Sequence, residues 1–348
     1  MTPRTLFETE IREQPAALRR LLDEGRDAVE AIASALQPRP PRFAVLAARG
    51  SSDNAARYGQ YLFGIRNRLV VGLATPSVYT QYQSPPNLEG ALVVGISQSG
   101  QSPDIVAVLR EGRRQGAATV AITNELESPL GQTADHVILL RAGAERAVAA
   151  TKTYTTQLVA LAMLSTALGR DAVAWGELDA LPDALNDVLE DNETTPSLAG
   201  RFRERSGFVS VARGYNFSTA FEIALKITET CALPAVAYSS ADLLHGPTAM
   251  LEPELPVLLV APGPRDFPDL EQVALLARDR RAPLIALSDQ ASLLERADVA
   301  LRLPPGTPEW LTPVTAIVPG QLFALGLSLA RGKHPDTPRG LSKVTLTE

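Results

Sequence analysis

RFAVLAARG, residues 42–50, is an unbroken apolar run closed by an arginine and a glycine, and GFVSVARG, residues 207–214, repeats it. Such runs suit parallel strands covered on both faces. GALVVGIS (90–97), AATVAIT (117–123) and DHVILL (135–140) follow the first run at strand length. Between them, NAARYGQYLF (54–63) and DIVAVLREGRRQG (104–116) carry helical periodicity. This is the βαβ rhythm of an open, doubly wound sheet. The second half repeats it in PVLLVAP (256–262), APLIALSD (282–289) and ADVALRLP (297–304). The spacing is constant: Arg49 to Arg213 is 164 residues, Asn124 to Asp289 is 165, and Ala134 to Ala297 is 163. TTQLVALAML (155–164) recurs as PGQLFALGLSLA (319–330), with Gln157 and Gln321 again 164 apart. Four element types keeping one spacing predict two tandem copies of one α/β domain.

The repeat predicts a domain at 41–170, a helical connector at 171–200 and a second domain at 201–333. An amphipathic helical arm, interrupted at Pro15, precedes them over 1–40, and a proline-bearing tail follows at 334–348. The chain has 348 residues, 45% hydrophobic and 21% charged, as expected of a globular protein with large cores. A net charge of -6 removes any global electrostatic reason to bind nucleic acid or an acidic membrane. An anionic ligand would need a site made locally. The single cysteine, Cys231, excludes an intrachain disulfide framework. His136, His245 and His334 are scattered, so neither a metal nor a cofactor is called for. No signal peptide is expected, and no apolar run looks long enough to span a bilayer uninterrupted. A reducing cytoplasm is the simplest compartment.

In open α/β sheets ligands sit beyond the carboxyl ends of the strands. In the first copy those ends read RGSSDN (49–54), SQSGQSPD (97–104) and TNELES (123–128). Ser51, Ser52, Ser97, Ser99 and Ser102 are expected before helix starts, where unpaired N–H groups and a partial positive charge favour an anion. Gly50 and Gly100 would let the backbone approach a bulky anion. Serines at helix starts are also ordinary N-caps. The second copy supplies the control: its corresponding loops, RGYNFS (213–218) and APGPRDF (261–267), lack the cluster. One phosphate site per chain, in the first copy, is therefore expected. The second copy carries a different set. Glu222, Lys226 and Glu229 share one helix face, either as an exposed ion pair or as working groups. His245 in LLHGP (243–247) and Lys343 in the tail read as a structural histidine and a solvated lysine, or as parts of a site.

Taken together, these motifs resemble the double sugar-isomerase (SIS) domain family. They are similar to the isomerase half of glucosamine-6-phosphate synthase and to SIS-type glucosamine-6-phosphate deaminases. EIREQPAAL (10–18), ISQSGQSPD (96–104), TKTYTTQL (151–158), EIALKITE (222–229), LLHGP and PRGLSKVTLTE (338–348) match in order. The resemblance implies two flavodoxin-like parallel-sheet domains and a sugar-phosphate substrate. Ser97, Gln98, Ser99 and Ser102, with Ser51, would hold the sugar phosphate, and Gly50 and Ser52 of the first loop join them as substrate-binding candidates. Val148 and Ala150 would line the sugar, Ala150 standing where a serine is usual. Glu229 would move a proton between C1 and C2, beside Lys226. His245 would open the ring from the neighbouring subunit of a homodimer, and Lys343 would be delivered by a tail folded over the ligand. Arg49, Val236 and Leu244 replace a cysteine, a glutamate and a lysine of the synthase. The implied reaction is deamination of glucosamine 6-phosphate to fructose 6-phosphate. Alternatives are a fructosamine 6-phosphate deglycase, an isomerase domain using external ammonia, and a non-catalytic sugar-phosphate sensor. Cys231, inside a helix, gives no means of releasing ammonia from glutamine.

Overall fold

The structure is a computed structural model that describes residues 4–263 and 265–343. The chain begins with α1 (Leu6–Arg12) and α2 (Gln14–Leu36). Pro15 falls in the first turn of α2, where its missing N–H costs nothing, so the expected interruption becomes a boundary between two helices. The first repeat then runs β1 (Phe43–Ala47), α3 (Ser51–Arg66), β2 (Val70–Leu73), α4 (Pro76–Thr80), β3 (Ala91–Ile96), α5 (Pro103–Arg114), β4 (Ala118–Thr123), α6 (Pro129–Thr133), β5 (His136–Leu139) and α7 (Lys152–Gly169). The connector is three helices, α8 (Ala172–Asp179), α9 (Leu181–Asp191) and α10 (Thr195–Ala199). The second repeat is β6 (Phe208–Ala212), α11 (Phe217–Cys231), β7 (Ala235–Ser239), α12 (Ser240–Leu244), β8 (Val257–Val260), α13 (Phe267–Asp279), β9 (Leu284–Ser288), α14 (Ala291–Leu294), β10 (Val299–Arg302) and α15 (Thr312–Ala330).

Each repeat makes one five-stranded sheet, in the orders β2-β1-β3-β4-β5 and β10-β9-β8-β6-β7. Counted within its own repeat, each has the order 2-1-3-4-5, and all pairings are parallel. This is the flavodoxin-like doubly wound arrangement that the resemblance implied, duplicated as the spacing of 164 predicted. In the first sheet Phe43 sits opposite Val70 on one side and Ala91 on the other, so β1 and β3 flank the point where the chain reverses its winding. The central strand β3 is buried at every position, which is why it reads as a continuous apolar run. The edge strand β2 alternates exposed and half-buried residues over only four positions, and β7 is likewise mostly half-buried. Neither was singled out in the sequence, although β2 lies within the apolar run LVVGLA at 69–74.

Contacts gather the described residues into two compact units. The amino-terminal unit holds residues 16–145, 152–180 and 342–343, and the carboxy-terminal unit holds 4–15, 146–151, 181–263 and 265–341. The arm and the connector, each expected as one piece, are therefore divided between the units, as is the tail; its residues 344–348 lie outside the described residues. In the amino-terminal unit Val93, Ile105, Leu109 and Leu130 form the core of the first sheet. In the carboxy-terminal unit Val211, Leu259, Val273 and Leu293 do the same for the second. Each fully buried Leu, Ile or Val contributes roughly 1.5–3 kcal/mol.

The apolar segment ending in α15 corrects one expectation. Glu309–Ala330 is 22 residues long with a hydropathy of 1.5, long and apolar enough to cross a membrane. Pro319 does not interrupt the helix. Of its 18-residue apolar window 89% is buried inside the protein, as the core helix of the carboxy-terminal unit. Its Gly326 lies against the Pro196 backbone, where a Cβ would collide, so α10 packs directly on it.

Candidate functional site

In the amino-terminal unit the carboxyl ends of β1 and β3 carry the hydroxyl-rich loops, at the reversal point where such sheets bind ligands. Gly50 is the N-cap of α3 at φ 56, and a Cβ there would meet nothing within 4 Å. Ser51 and Ser52 are the first two residues of α3 rather than residues before it, because the left-handed turn at Gly50 starts the helix one step early. The buried Ser52 hydroxyl accepts from Gln157 Nε2 at 3.0 Å, a partner the sequence did not single out. In the second loop, Gly100 N donates to Ser97 Oγ at 3.1 Å, and Gln101 N to Ser99 Oγ at 3.4 Å. Gly100 has φ +62, and a Cβ on it would collide with the Ser128 side chain. Ser102 is the N-cap of α5, yet its side chain makes no capping hydrogen bond. Simple capping therefore does not account for this hydroxyl.

Gln98 and Ser99 open onto a cavity of about 370 Å³ that is also lined by Gln101, Glu125, Glu127, Ser128 and Lys343. Lys343 is not a solvated tail residue. Its Nζ lies 2.6 Å from Glu145 Oε2, and the Glu145 side chain is fully buried. Glu145 also accepts from Thr153 N at 3.0 Å and Thr153 Oγ1 at 2.7 Å. The tail thus delivers a cation to the serine loop, held by a carboxylate 198 residues earlier in the chain. No local signal in the sequence marks Glu145.

The carboxy-terminal unit holds the acid–base set. On α11, Lys226 Nζ lies 3.4 Å from Glu222 Oε1 and 2.5 Å from Glu229 Oε2. Glu222 and Lys226 have no exposed side-chain surface, whereas Glu229 keeps 24%. The exposed ion pair considered from spacing is thus excluded: the pair is desolvated, and Ala220, Ile223, Ala224 and Ile227 bury the helix around it. The set carries one positive and two negative charges, with only the outer carboxylate open to a ligand. His245 follows α12 and is exposed. Cys231, at the end of α11, is buried, and burial pushes its thiol up to about 11, so it is no nucleophile at neutral pH.

Val148 and Ala150 lie in the segment 146–151, which contacts group with the carboxy-terminal unit. Val148 N donates to Asp336 O at 3.1 Å. The Asp336 carboxylate in turn accepts from Leu6 N and Phe7 N at 2.9 and 2.8 Å, satisfying two orphan donors of α1. Glu10 accepts from Arg146 N and Ala147 N. The Glu10 carboxylate and the Asp336 backbone carbonyl thus hold the first three amides of the segment 146–151. Among the described residues, no group of three or more His, Cys, Asp or Glu side chains could hold a metal ion.

Comparison with known proteins agrees with this layout. The family model described as SIS domain matches residues 40–167 and again 203–331. Glutamine–fructose-6-phosphate aminotransferase (isomerizing) of Pyrococcus horikoshii is 34% identical over 310 residues, 87% of this chain and 52% of that protein. The chain thus spans about half the length of such curated relatives. Among solved structures, a Silicibacter pomeroyi DSS-3 protein assigned to the phosphosugar isomerases superposes with a TM-score of 0.87 at 35% identity, over 96% of this chain and all 100% of that one. The C-terminal domain of glucosamine-fructose-6-phosphate aminotransferase from Francisella tularensis shares the fold, with a TM-score of 0.87 at 24% identity, over 97% and 99% of the two chains.

Proposed function

Because this chain belongs to the SIS domain family, we propose that it is a sugar-phosphate isomerase acting on an amino sugar, converting glucosamine 6-phosphate and water to fructose 6-phosphate and ammonia. The observation that carries the reading is the α11 set: a buried ammonium holds an accessible carboxylate, Glu229, ready to take a proton from carbon. In the proposed sequence the opened sugar presents an aldehyde at C1 and an amine at C2. Glu229 removes the C2 proton, and the electron pair moves onto the C1 oxygen. Lys226, on the same helix, is the cation that would offset that charge. Return of the proton to C1 leaves an imine at C2, which water hydrolyses to the ketone and ammonia. The phosphate is the group assigned to the loops at 50–52 and 97–102. Arrangement of their hydroxyls around open backbone supports this assignment.

The test is ammonia release from glucosamine 6-phosphate by the purified chain. Rapid release from a fructosamine 6-phosphate with none from glucosamine 6-phosphate would replace the deaminase by a deglycase. Absence of turnover on either, with binding retained, would make the protein a sensor. The reading includes a homodimer in which His245 serves the neighbouring subunit, for which its exposure leaves it available. Mixing inactive His245→Ala and Glu229→Gln chains should then restore activity, because each mixed dimer contains one complete set. Failure to restore it in verified mixed dimers would place His245 in its own chain's site.

A further inference from the structure

The hydroxyl-rich loops contain a cation that neither capping nor the proposed chemistry uses. Arg49 follows β1 directly before Gly50. Its Nε donates to Asp104 Oδ2 at 2.8 Å. Asp104 is 1% exposed and stands in the first turn of α5, two residues after Ser102, while Arg49 itself remains 52% exposed. One guanidinium therefore joins the starts of α3 and α5, the two helices whose hydroxyls were assigned to the phosphate. Arginine carries five N–H donors in a planar fork, and this ion pair engages only the Nε edge.

The second repeat contains the same device in a closed form. Arg213, 164 residues later, also follows the first strand of its sheet and precedes a glycine with positive φ, Gly214 at φ +58. Its Nε lies 3.2 Å from Asp269 Oδ2 and 4.0 Å from Asp266 Oδ1. Two carboxylates thus face this arginine, where one faces Arg49. A Cβ on Gly214 would run into the Asp266 carboxylate, whereas the space over Gly50 is empty to 4 Å. The duplicated strut is filled by protein carboxylates in one copy and open in the other.

We infer that Arg49 is a further phosphate-binding residue, which makes the serine loops selective for a dianionic ester over the uncharged sugar. The inference rests on the proposed assignment of phosphate to these loops. It gives the Asp104 carboxylate a positioning role: it fixes the Nε edge and turns the remaining donors outward. It also gives Arg49 a function that the cysteine of the synthase at this position could not serve.

The test is titration calorimetry with fructose 6-phosphate and with fructose, on wild type, Ser99→Ala, Arg49→Ala, Arg49→Lys and the double variant Arg49→Ala/Asp104→Asn. The double variant removes the buried carboxylate that Arg49→Ala would leave unpaired, and keeps the readout available if the single variant unfolds. A charge-assisted hydrogen bond lost at such a site weakens binding about tenfold or more. We expect that loss for fructose 6-phosphate in both alanine variants, a smaller loss in Arg49→Lys, and an affinity that depends less on ionic strength without the arginine. If Ser99→Ala weakens binding while both alanine variants bind within about twofold of wild type, Arg49 is only a strut and the inference is overturned. If wild type itself does not distinguish fructose 6-phosphate from fructose, the phosphate assignment fails first, and the inference falls with it.

Discussion

Replacing Lys226 by methionine probes the element on which the chemistry depends. The side chain is fully buried between Glu222 at 3.4 Å and Glu229 at 2.5 Å, and Glu222 has no exposed surface of its own. Methionine fills most of the lysine volume, so a cavity is a minor effect; the cost comes from a buried carboxylate left without its cation. Breaking a buried pair in this way costs about 3–5 kcal/mol. For a unit of this size each kcal/mol lowers Tm by about 2–4 °C, so calorimetry should show the transition of the carboxy-terminal unit falling by roughly 6–20 °C. The double variant Lys226→Met/Glu222→Gln removes the uncompensated charge and should recover more than half of the loss, a coupling that independent sites would not show. A single variant melting within about 2 °C of wild type would mean that Glu222 and Lys226 are hydrated, and the argument for a preorganised base on α11 would be withdrawn.

Other perturbations separate the remaining roles. Glu229→Gln should keep the fold, because the side chain is partly exposed, and should bind sugar phosphate normally while losing about 10²–10⁴-fold in turnover by steady-state assay. Gly100→Ala should cost about 1–2 kcal/mol from its positive φ alone, with more from collision with Ser128, and phosphate affinity should fall in parallel when both are measured on one preparation. The Cys231 thiol, raised from 9.0 to about 11 by burial, favours the folded state fully below pH 9, and that contribution is lost as pH rises through 11. Between those limits the unfolded chain has already released the proton that the folded chain retains, so urea titrations should lose about 2–3 kcal/mol of stability that a Cys231→Ala variant does not lose. Asp336→Ala should free the amides of Leu6 and Phe7 and raise hydrogen exchange in α1 ahead of the rest of the unit, while the bond from Val148 N to the backbone carbonyl of residue 336 is kept.

The duplication and its doubly wound α/β class were legible in sequence because the central strands are buried on both faces and must be apolar throughout. β2 and β7 were not singled out: they are only four and five residues long, and β2, though apolar, is a short edge strand with exposed positions. The serine loops could be placed by their position after β1 and β3, but the helix start at Ser51 depends on the backbone at Gly50, which no residue pattern reveals. The burial of Glu222 and Lys226 was readable in principle: Ile223, Ala224 and Ile227 leave α11 little polar surface. The role of Lys343 rested on resemblance alone, because its partner Glu145 lies 198 residues away and is fixed only by folding. Arg49 was visible as a departure from the synthase, but its ion pair with Asp104 emerged only when β1 and α5 were placed together.

The chain's path between its two units bears on protein engineering. Residues 146–151 leave the first repeat to join the second, and residues 342–343 come back from the far end to join the first. Neither repeat is therefore a portable module. Cutting after the last strand and helix of the first copy would strip the serine loops of Lys343 while leaving a stranded hexapeptide behind. Anyone dividing this gene to study its halves should expect two incomplete products, and would do better to graft the short exchanged pieces along with the sheets to which they are bound.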